Sequence, residues 1–275
     1  MLEKESIIKM LKTEYKNVDI HIHDVIDSTN TEAKRLAETS AKHGTTIFAD
    51  MQKQGRGRLG RSFFSPNQTG IYMTILLKAK EDMSQTVLIT TAASVAVARA
   101  IKNICQMESQ IKWVNDIYIN EKKICGILAE AVNDVNTGMI SHIALGIGIN
   151  MFTPNDGFPE DLKDKAGTIF DNRLACEKDA RGLTFSREAL AAKIINQVLD
   201  IYEHIDSREF IHEYRERSMV LGKDVDVVKH YQTDIENATK IKARVTNIDD
   251  DGGLVVAYED GAVETLNTGE ISIRW

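Results

Sequence analysis

Lys112-Trp-Val-Asn-Asp-Ile-Tyr-Ile-Asn-Glu-Lys-Lys-Ile-Cys-Gly-Ile-Leu-Ala-Glu-Ala131 is the stretch on which the fold turns. Its runs Ile117 to Ile119 and Ile124 to Ala131 are rich in β-branched and apolar residues, and Glu121-Lys122 between them reads as a turn. A further run, Met139 to Ile149, follows Asn133-Asp134, a second turn. Short breaks between such runs predict adjacent antiparallel strands. Asn115 and Asp116 then fall at the end of the sheet opposite the turn, unless the chain bends there.

On the N-terminal side, Ile7, Ile8 and Leu11 suggest a short helix, and Ile20, Ile22 and Val25 a strand. Asp27-Ser-Thr-Asn30 follows, with Thr29 and Glu32 at capping-box spacing, so a strand should hand over here to a helix running to about Ala41. Thr45 to Met51 and Ile71 to Leu77 read as strands, whereas Gln52 to Gly70 reads as a long mobile loop of the kind that is usually functional. Ser84 to Cys105 is apolar nearly all round and should be a buried helix.

On the C-terminal side, Phe152 to Gly182 is irregular and polar. After Ser186, Leu190, Ile194, Val198, Ile201 and Ile205 mark one face of an amphipathic helix, and a shorter helix is expected over Arg208 to Arg217. Beyond Gly222 the texture changes to short alternating runs at 225–228, 241–248, 254–258 and 262–266. The expectation is an α+β chain with a large domain, 1–221, and a small all-β module, 222–275.

Composition narrows the function. At 275 residues and 43% hydrophobic content the chain can bury a substantial core without disulfides. A net charge of −7 argues against general nucleic-acid binding, which rests on phosphate neutralisation. Cys105, Cys125 and Cys176 form no CxxC pair, which fits a reducing cytosol. The charged N-terminus lacks a signal-peptide pattern, and Val87 to Ile104, broken by Thr90, Thr91, Ser94, Arg99 and Lys102, reads as too polar for a membrane span.

Gly55-Arg-Gly-Arg-Leu-Gly-Arg-Ser62 satisfies GxGxxG and nearly satisfies a P-loop, but both motifs need a helix after the last glycine. Here Phe63-Phe-Ser-Pro-Asn67 leads through a turn into a strand. What remains is a backbone able to close on a ligand, carrying Arg56, Arg58 and Arg61 as planar forks for phosphate or carboxylate. The choice is between an anion-clamping lid and a solvated basic loop. Lys123 poses a parallel choice: inward, at the start of an apolar strand, it demands an anionic partner, and outward it is a turn lysine. Gly126, Gly146 and Gly148 interrupt strands that otherwise favour β-branched residues, which suggests close approach of a ligand or tight packing.

Taken together, Asp27-Ser-Thr-Asn30, Gln52 with the Gly55–Arg61 loop, Lys112-Trp-Val-Asn-Asp116, Lys123 with Gly126, and Gly148-Ile-Asn-Met151 resemble the biotin protein ligase family in order and spacing. Thr268-Gly-Glu-Ile-Ser-Ile-Arg274 extends the match. The resemblance implies a mixed sheet with helices like that of class II aminoacyl-tRNA synthetases, followed by a small SH3-like barrel. It implies that biotin and ATP form biotinyl-5′-AMP, whose acyl group passes to a lysine of a biotin carboxyl carrier protein or domain. Ser28, Thr29, Asn30, Gln52, Gly55 and Gly57 would bind biotin, with Gly126 and Gly146 leaving it space. Lys123 would contact the biotin carboxylate and the α-phosphate, and Arg56 and Arg58 would order the loop over the adenylate. Arg58, Arg61, Phe63, Trp113, Asn115, Ile127, Asn150 and Arg274 would form the nucleotide side, and Asp116 would orient the incoming amine.

Magnesium would accompany the triphosphate, although the sequence shows no dedicated metal cage. Val114 stands where the family often has Pro, and Leu59 and Phe63 replace commoner Arg or Trp. About 26 residues precede Asp27, too few for the helix-turn-helix domain of some members, so DNA binding is not expected. No membrane partner is expected, the cytoplasm is the expected location, and a homodimer stays open. The rivals are a lipoate or octanoyl ligase, which shares the fold and acyl-adenylate logic, and a biotin sensor that no longer transfers.

Overall fold

The computed structural model describes residues 2–39, 41–80, 86–134, 136–172, 185–228 and 240–273. A seven-stranded mixed sheet has the order β1-β2-β3-β7-β6-β5-β4. Its strands are β1 (Ile20–Ile26), β2 (Thr46–Gln52), β3 (Gly70–Lys78), β4 (Gln110–Lys112), β5 (Asp116–Ile119), β6 (Lys122–Asn133) and β7 (Ile140–Asn150). β1 runs parallel to β2, while the other neighbouring pairs are antiparallel. The helices are α1 (Lys4–Met10), α2 (Thr29–Ala37), α3 (Thr86–Cys105), α4 (Arg187–Glu203) and α5 (Phe210–Arg217).

Strand periodicity divides the sheet into two unlike faces. On one, Ile71, Met73, Ile75 and Leu77 of β3 and Ile143, Leu145, Ile147 and Ile149 of β7 join the main core with α3 and α4. Each such aliphatic chain contributes roughly 1.5–3 kcal/mol on full burial. On the other face, Ile47, Leu76, Val132 and Ala144 cover only a small cluster with Ala33 of α2. Elsewhere that second face carries Thr74, Gly126, Gly146 and Gly148, and facing strands align them: Thr74 opposes Gly146, and Gly148 opposes Gly126, which opposes Asp116. A hollow forms there because the sequence withholds side chains.

The small five-stranded antiparallel sheet has the order β11-β10-β9-β8-β12, from β8 (Asp224–Val228), β9 (Lys240–Ile248), β10 (Leu254–Tyr258), β11 (Val263–Leu266) and β12 (Glu270–Ile273). Val225, Val245, Leu254, Val256 and Ile271 are buried within it. It is fastened to the larger body by Trp113, whose indole Nε1 donates to the Gly252 carbonyl (2.9 Å), and by Arg215, whose Nε donates to the Ile248 carbonyl (2.7 Å). A Cβ on Gly252 would lie 2.8 Å from Thr91 Cγ2, so the two bodies touch at van der Waals distance there.

Several expectations shift. α2 ends at Ala37 rather than near Ala41, and its N-cap is Ser28, not Thr29. The capping box does not form because the Thr29 hydroxyl faces Gln52 and Thr74 instead, while Glu32 pairs with Arg35. Ser84, the expected start of the long helix, lies outside the described residues, as do Cys176 and Arg274. β4 and β12 are not anticipated from pattern, being short. The Gln52–Gly70 loop is a small hairpin: Gly57 N–H donates to the Arg61 carbonyl and Phe63 N–H to the Gly55 carbonyl, both at 2.8 Å. α3 is long and apolar enough by composition to cross a membrane, contrary to the reading of its polar residues. Its apolarity is instead explained by burial, with Leu88, Val95, Val97 and Ile101 inside the core.

Candidate active site

The hollow on the second face opens as one cleft. Ser28, Thr29, Asn30, Gln52, Arg56, Gly57, Arg58, Arg61, Phe63, Trp113, Asn115, Asp116, Lys123, Gly126, Ile127 and Gly146 all line it. Lys123 and Arg56, far apart in sequence, therefore share one cavity.

One end of the cleft is buried and neutral. Ser28, Thr29 and Asn30, at the junction of β1 and α2, are 2%, 3% and 4% exposed, and polar groups so buried need partners. Gln52 Oε1 accepts from the Thr29 N–H (2.9 Å), and Gln52 Nε2 donates to Ser65 Oγ (2.9 Å). Thr74 Oγ1 lies 2.8 Å from Thr29 Oγ1 and 2.6 Å from Asn30 Oδ1. Gly146 makes this packing possible, since a Cβ there would come within 2.2 Å of Asn30 Oδ1. Its missing side chain thus admits Asn30.

The other end is charged. Arg58 Nη1 donates to Asn115 Oδ1 (3.2 Å) and Nη2 to the Gly269 carbonyl (3.0 Å), joining the hairpin loop to β12's approach. Asn115 Nδ2 in turn donates to the Ile127 carbonyl (2.8 Å). Between the ends, Lys123 Nζ stands 2.6 Å from Asp116 Oδ1. That approach is a close ion pair. Arg56 Nη2 pairs with Glu130 Oε1 at 2.9 Å. Burial pushes the Glu130 carboxyl up, but the Asn30 amide, Lys34 and Arg56 outweigh it and hold it below the ordinary carboxylate range.

Phe63 lies across the glycines of the floor: Cβ atoms on Gly148 and Gly126 would sit 2.6 and 3.3 Å from its ring. Its ring meets Tyr72 edge-on at 6.3 Å. Cys125, one residue from Gly126, faces the core, and burial pushes its thiol well up, so it is no nucleophile.

Not every expected residue reaches the cleft. Asn150 is absent from the lining, and its Nδ2 donates to the Gly167 carbonyl (3.1 Å), bracing the segment beyond β7. Gly55 is also outside the lining, and a Cβ there would meet the Phe63 carbonyl at 2.3 Å, so it serves the hairpin's tight crossing. Conversely, Ser62, Met73, Lys112, Leu128, Ile147, Gly269 and Ile271 line the cleft without being singled out as ligand contacts from sequence, while Gly148, expected at a close approach, does line it. Gly269 and Ile271 come from the small sheet, whose contribution pattern alone does not reveal. Glu130 and Thr74 stand just behind. Strand alternation from Gly126 through Leu128 to Glu130 was the signal available for the former.

Comparison with known proteins places this geometry. Residues 22–150 match the Biotin/lipoate A/B protein ligase family, and residues 234–274 match the Biotin protein ligase C terminal domain. A Bacillus spizizenii protein named Bifunctional ligase/repressor BirA is 38% identical over 159 residues, 58% of this chain and 48% of that one. The chain thus spans about half the length of that relative. A Mycobacterium tuberculosis Biotin–[acetyl-CoA-carboxylase] ligase is 25% identical across 89% of this chain and 85% of its own. The structure of the biotin protein ligase from Aquifex aeolicus in complex with biotin and ATP superposes with a TM-score of 0.73 at 26% identity, covering 93% of this chain and 98% of that one. With both parts of the chain matched in order and the cleft assembled from both, this chain belongs to the biotin protein ligase family.

Proposed function

We propose that this protein is an ATP-dependent biotin protein ligase. It joins biotin to AMP and then transfers the biotinyl group to a lysine of a biotin carboxyl carrier domain of acetyl-CoA carboxylase or a related carboxylase. The observation that carries the reading is the placement of Lys123, Arg56 and Arg58 around one cleft whose far end is a neutral hydrogen-bonding recess.

In the first step a biotin carboxylate oxygen attacks the α-phosphorus of ATP, and the bond to pyrophosphate breaks. Two anions must meet, and charge builds as they do. Fixed cations offset that charge without reorganising, which is worth several kcal/mol in a site screened from water. Lys123, at the junction of the two ends, is placed for both the carboxylate and the α-phosphate, and Arg58 for the nucleotide. Trp113, Asn115, Ile127, Arg61 and Phe63 complete the nucleotide side in this reading. The hairpin loop covers the mixed anhydride against hydrolysis.

In the second step an unprotonated carrier lysine attacks the acyl carbon, AMP leaves, and the amine gives up a proton. Asp116, ion-paired with Lys123 at the cleft, is suited to orient that amine. Among the described residues no group of three His, Cys, Asp or Glu side chains is placed to hold a metal ion. Magnesium would therefore arrive with the triphosphate, and no step is routed through it. The reading places the enzyme in the cytoplasm, in keeping with the free thiols of Cys105 and Cys125. It divides the chain into a catalytic unit, 1–221, and a barrel, 222–275, that completes the nucleotide end.

A lipoate ligase shares the first family match. Its dithiolane offers no donors, however, and would leave Thr29, Asn30 and Gln52 facing an apolar ring, whereas a urea matches them. The purified protein with ATP, magnesium and biotin is expected to release pyrophosphate and label a biotin carrier domain. Release that requires lipoate in place of biotin rejects the assignment.

A further inference from the structure

Glu130 lies behind the cleft wall, and neither chemical step above uses it. Its carboxylate is nevertheless gripped from three directions: Oε1 accepts from Lys34 Nζ and Arg56 Nη2, each at 2.9 Å, and Oε2 accepts from Asn30 Nδ2 at 2.8 Å. We propose that Glu130 is a positioning residue that sets the donor and acceptor polarity of the neutral recess through Asn30, Thr74 and Thr29, so that the recess presents acceptors to a urea N–H. This inference rests on reading the site as a biotin site.

An ionised carboxylate only accepts, so it fixes the Asn30 amide with Nδ2 toward Glu130 and Oδ1 toward Thr74. Oδ1 also only accepts, and the Thr74 hydroxyl has one hydrogen, which goes to that 2.6 Å contact. The 2.8 Å contact between Thr74 and Thr29 must then take its hydrogen from Thr29. No hydrogen remains for the 3.1 Å approach of Thr29 Oγ1 to Gln52 Oε1. Gln52 cannot relieve this by flipping, because its Nε2 would then face the Thr29 N–H. Two acceptor oxygens are left side by side, which a ligand N–H lying between them would satisfy.

Replacing the carboxylate by an amide should invert this chain. In Glu130→Gln the side-chain carbonyl is drawn to the cations Lys34 and Arg56, leaving its NH2 toward Asn30. Asn30 then turns its carbonyl to that group and its own NH2 to Thr74. Thr74 donates to Thr29, Thr29 donates to Gln52, and the recess loses its paired acceptors. Thr74→Val cuts the same chain at another link while sparing the pairs of Glu130 with Lys34 and Arg56.

The test is steady-state pyrophosphate release by the full chain, with biotin and ATP varied separately and thermal melts of every variant. Glu130→Gln and Thr74→Val are each expected to raise the biotin KM by about ten-fold or more, with the ATP KM moved less than about two-fold. The double variant should be no worse than the poorer single within about two-fold, since both cut one chain. A loss that falls on the ATP KM or on kcat with the biotin KM unmoved, or single effects that multiply, overturns the inference. If Glu130→Gln does not fold, Thr74→Val decides: its preference for biotin over biotins methylated on a urea nitrogen should fall about ten-fold, and an unchanged preference overturns the inference. Wild-type protein that releases no pyrophosphate with biotin rejects the ligase reading and this inference with it. Normal wild-type turnover with unmoved biotin KM values rejects the inference alone.

Discussion

The two ends of the cleft are built from opposite materials. The recess formed by Ser28, Thr29, Asn30 and Gln52 is uncharged, buried and ordered by short hydrogen bonds from strands and a helix start. The opposite end is cationic and is assembled from a hairpin loop, Asn115 and a turn of the small sheet. The first end can discriminate, because a ligand that mismatches a buried polar group leaves it unpaired. The second can stabilise developing charge, because charged hydrogen bonds are strong in partly dry surroundings. In the proposed reaction, recognition and chemistry would thus be separated along one groove, with Lys123 at the border.

The contrast between the two ends should be most sensitive to substitution at that border. Lys123→Ala is expected to slow adenylation by about a hundred- to a thousand-fold, the scale of losing a preset charge-stabilising group, while Lys53→Ala in the neighbouring loop changes it little. Equal, small losses in single-turnover assays would mean that the charged end does not act on the reacting atoms. At the neutral end, Gly146→Ala would bring a Cβ to 2.2 Å from Asn30 Oδ1. Biotin affinity should fall by about ten-fold or more as Asn30 is displaced, with ATP affinity held; calorimetric titration of both ligands measures the contrast, and parallel losses would dissolve it.

The smallest expected effect is on acid stability. Glu130's carboxyl is held below its ordinary value of 4.5 in the folded state. The unfolded chain therefore binds that proton more readily, so the stability from Glu130 is fully present above that value. It is lost as pH falls through the lowered folded value. Wild type should lose more melting temperature than Glu130→Gln on going from neutral pH to well below 4.5. Identical slopes would show that the carboxylate is not held by its neighbours.

Legibility in the sequence followed the strength of local constraint. Ile124 to Ala131 and Met139 to Ile149 are readable because strands covered by α3 need near-continuous aliphatic residues on that side, and Lys122–Asn133 and Ile140–Asn150 are the strands found. The short strands Gln110–Lys112, which pairs with the next strand Asp116–Ile119, and Glu270–Ile273, which pairs with the more distant Asp224–Val228, carry too few residues for a period. The loop's arginines advertise anion chemistry, yet nothing local tells that Arg56 finds Glu130 while Arg58 finds a carbonyl of the small sheet. Gly146 reads correctly as a place of close approach; what approaches it in the structure is Asn30. Asn150, two residues beyond the readable Gly148, sits where β7 ends and turns away to Gly167.

The seam between the two sheets has a further property. Trp113, Arg215 and Arg58 each reach across it to a main-chain oxygen, at Gly252, Ile248 and Gly269 respectively. Such an acceptor is present whatever side chain its residue carries. These three acceptors depend on the backbone path alone. Beside them, Gly252 is held to its residue type because a Cβ there would crowd Thr91, and Asp250 and Asp251 are held to theirs because their carboxylates accept from Arg215 and Arg208.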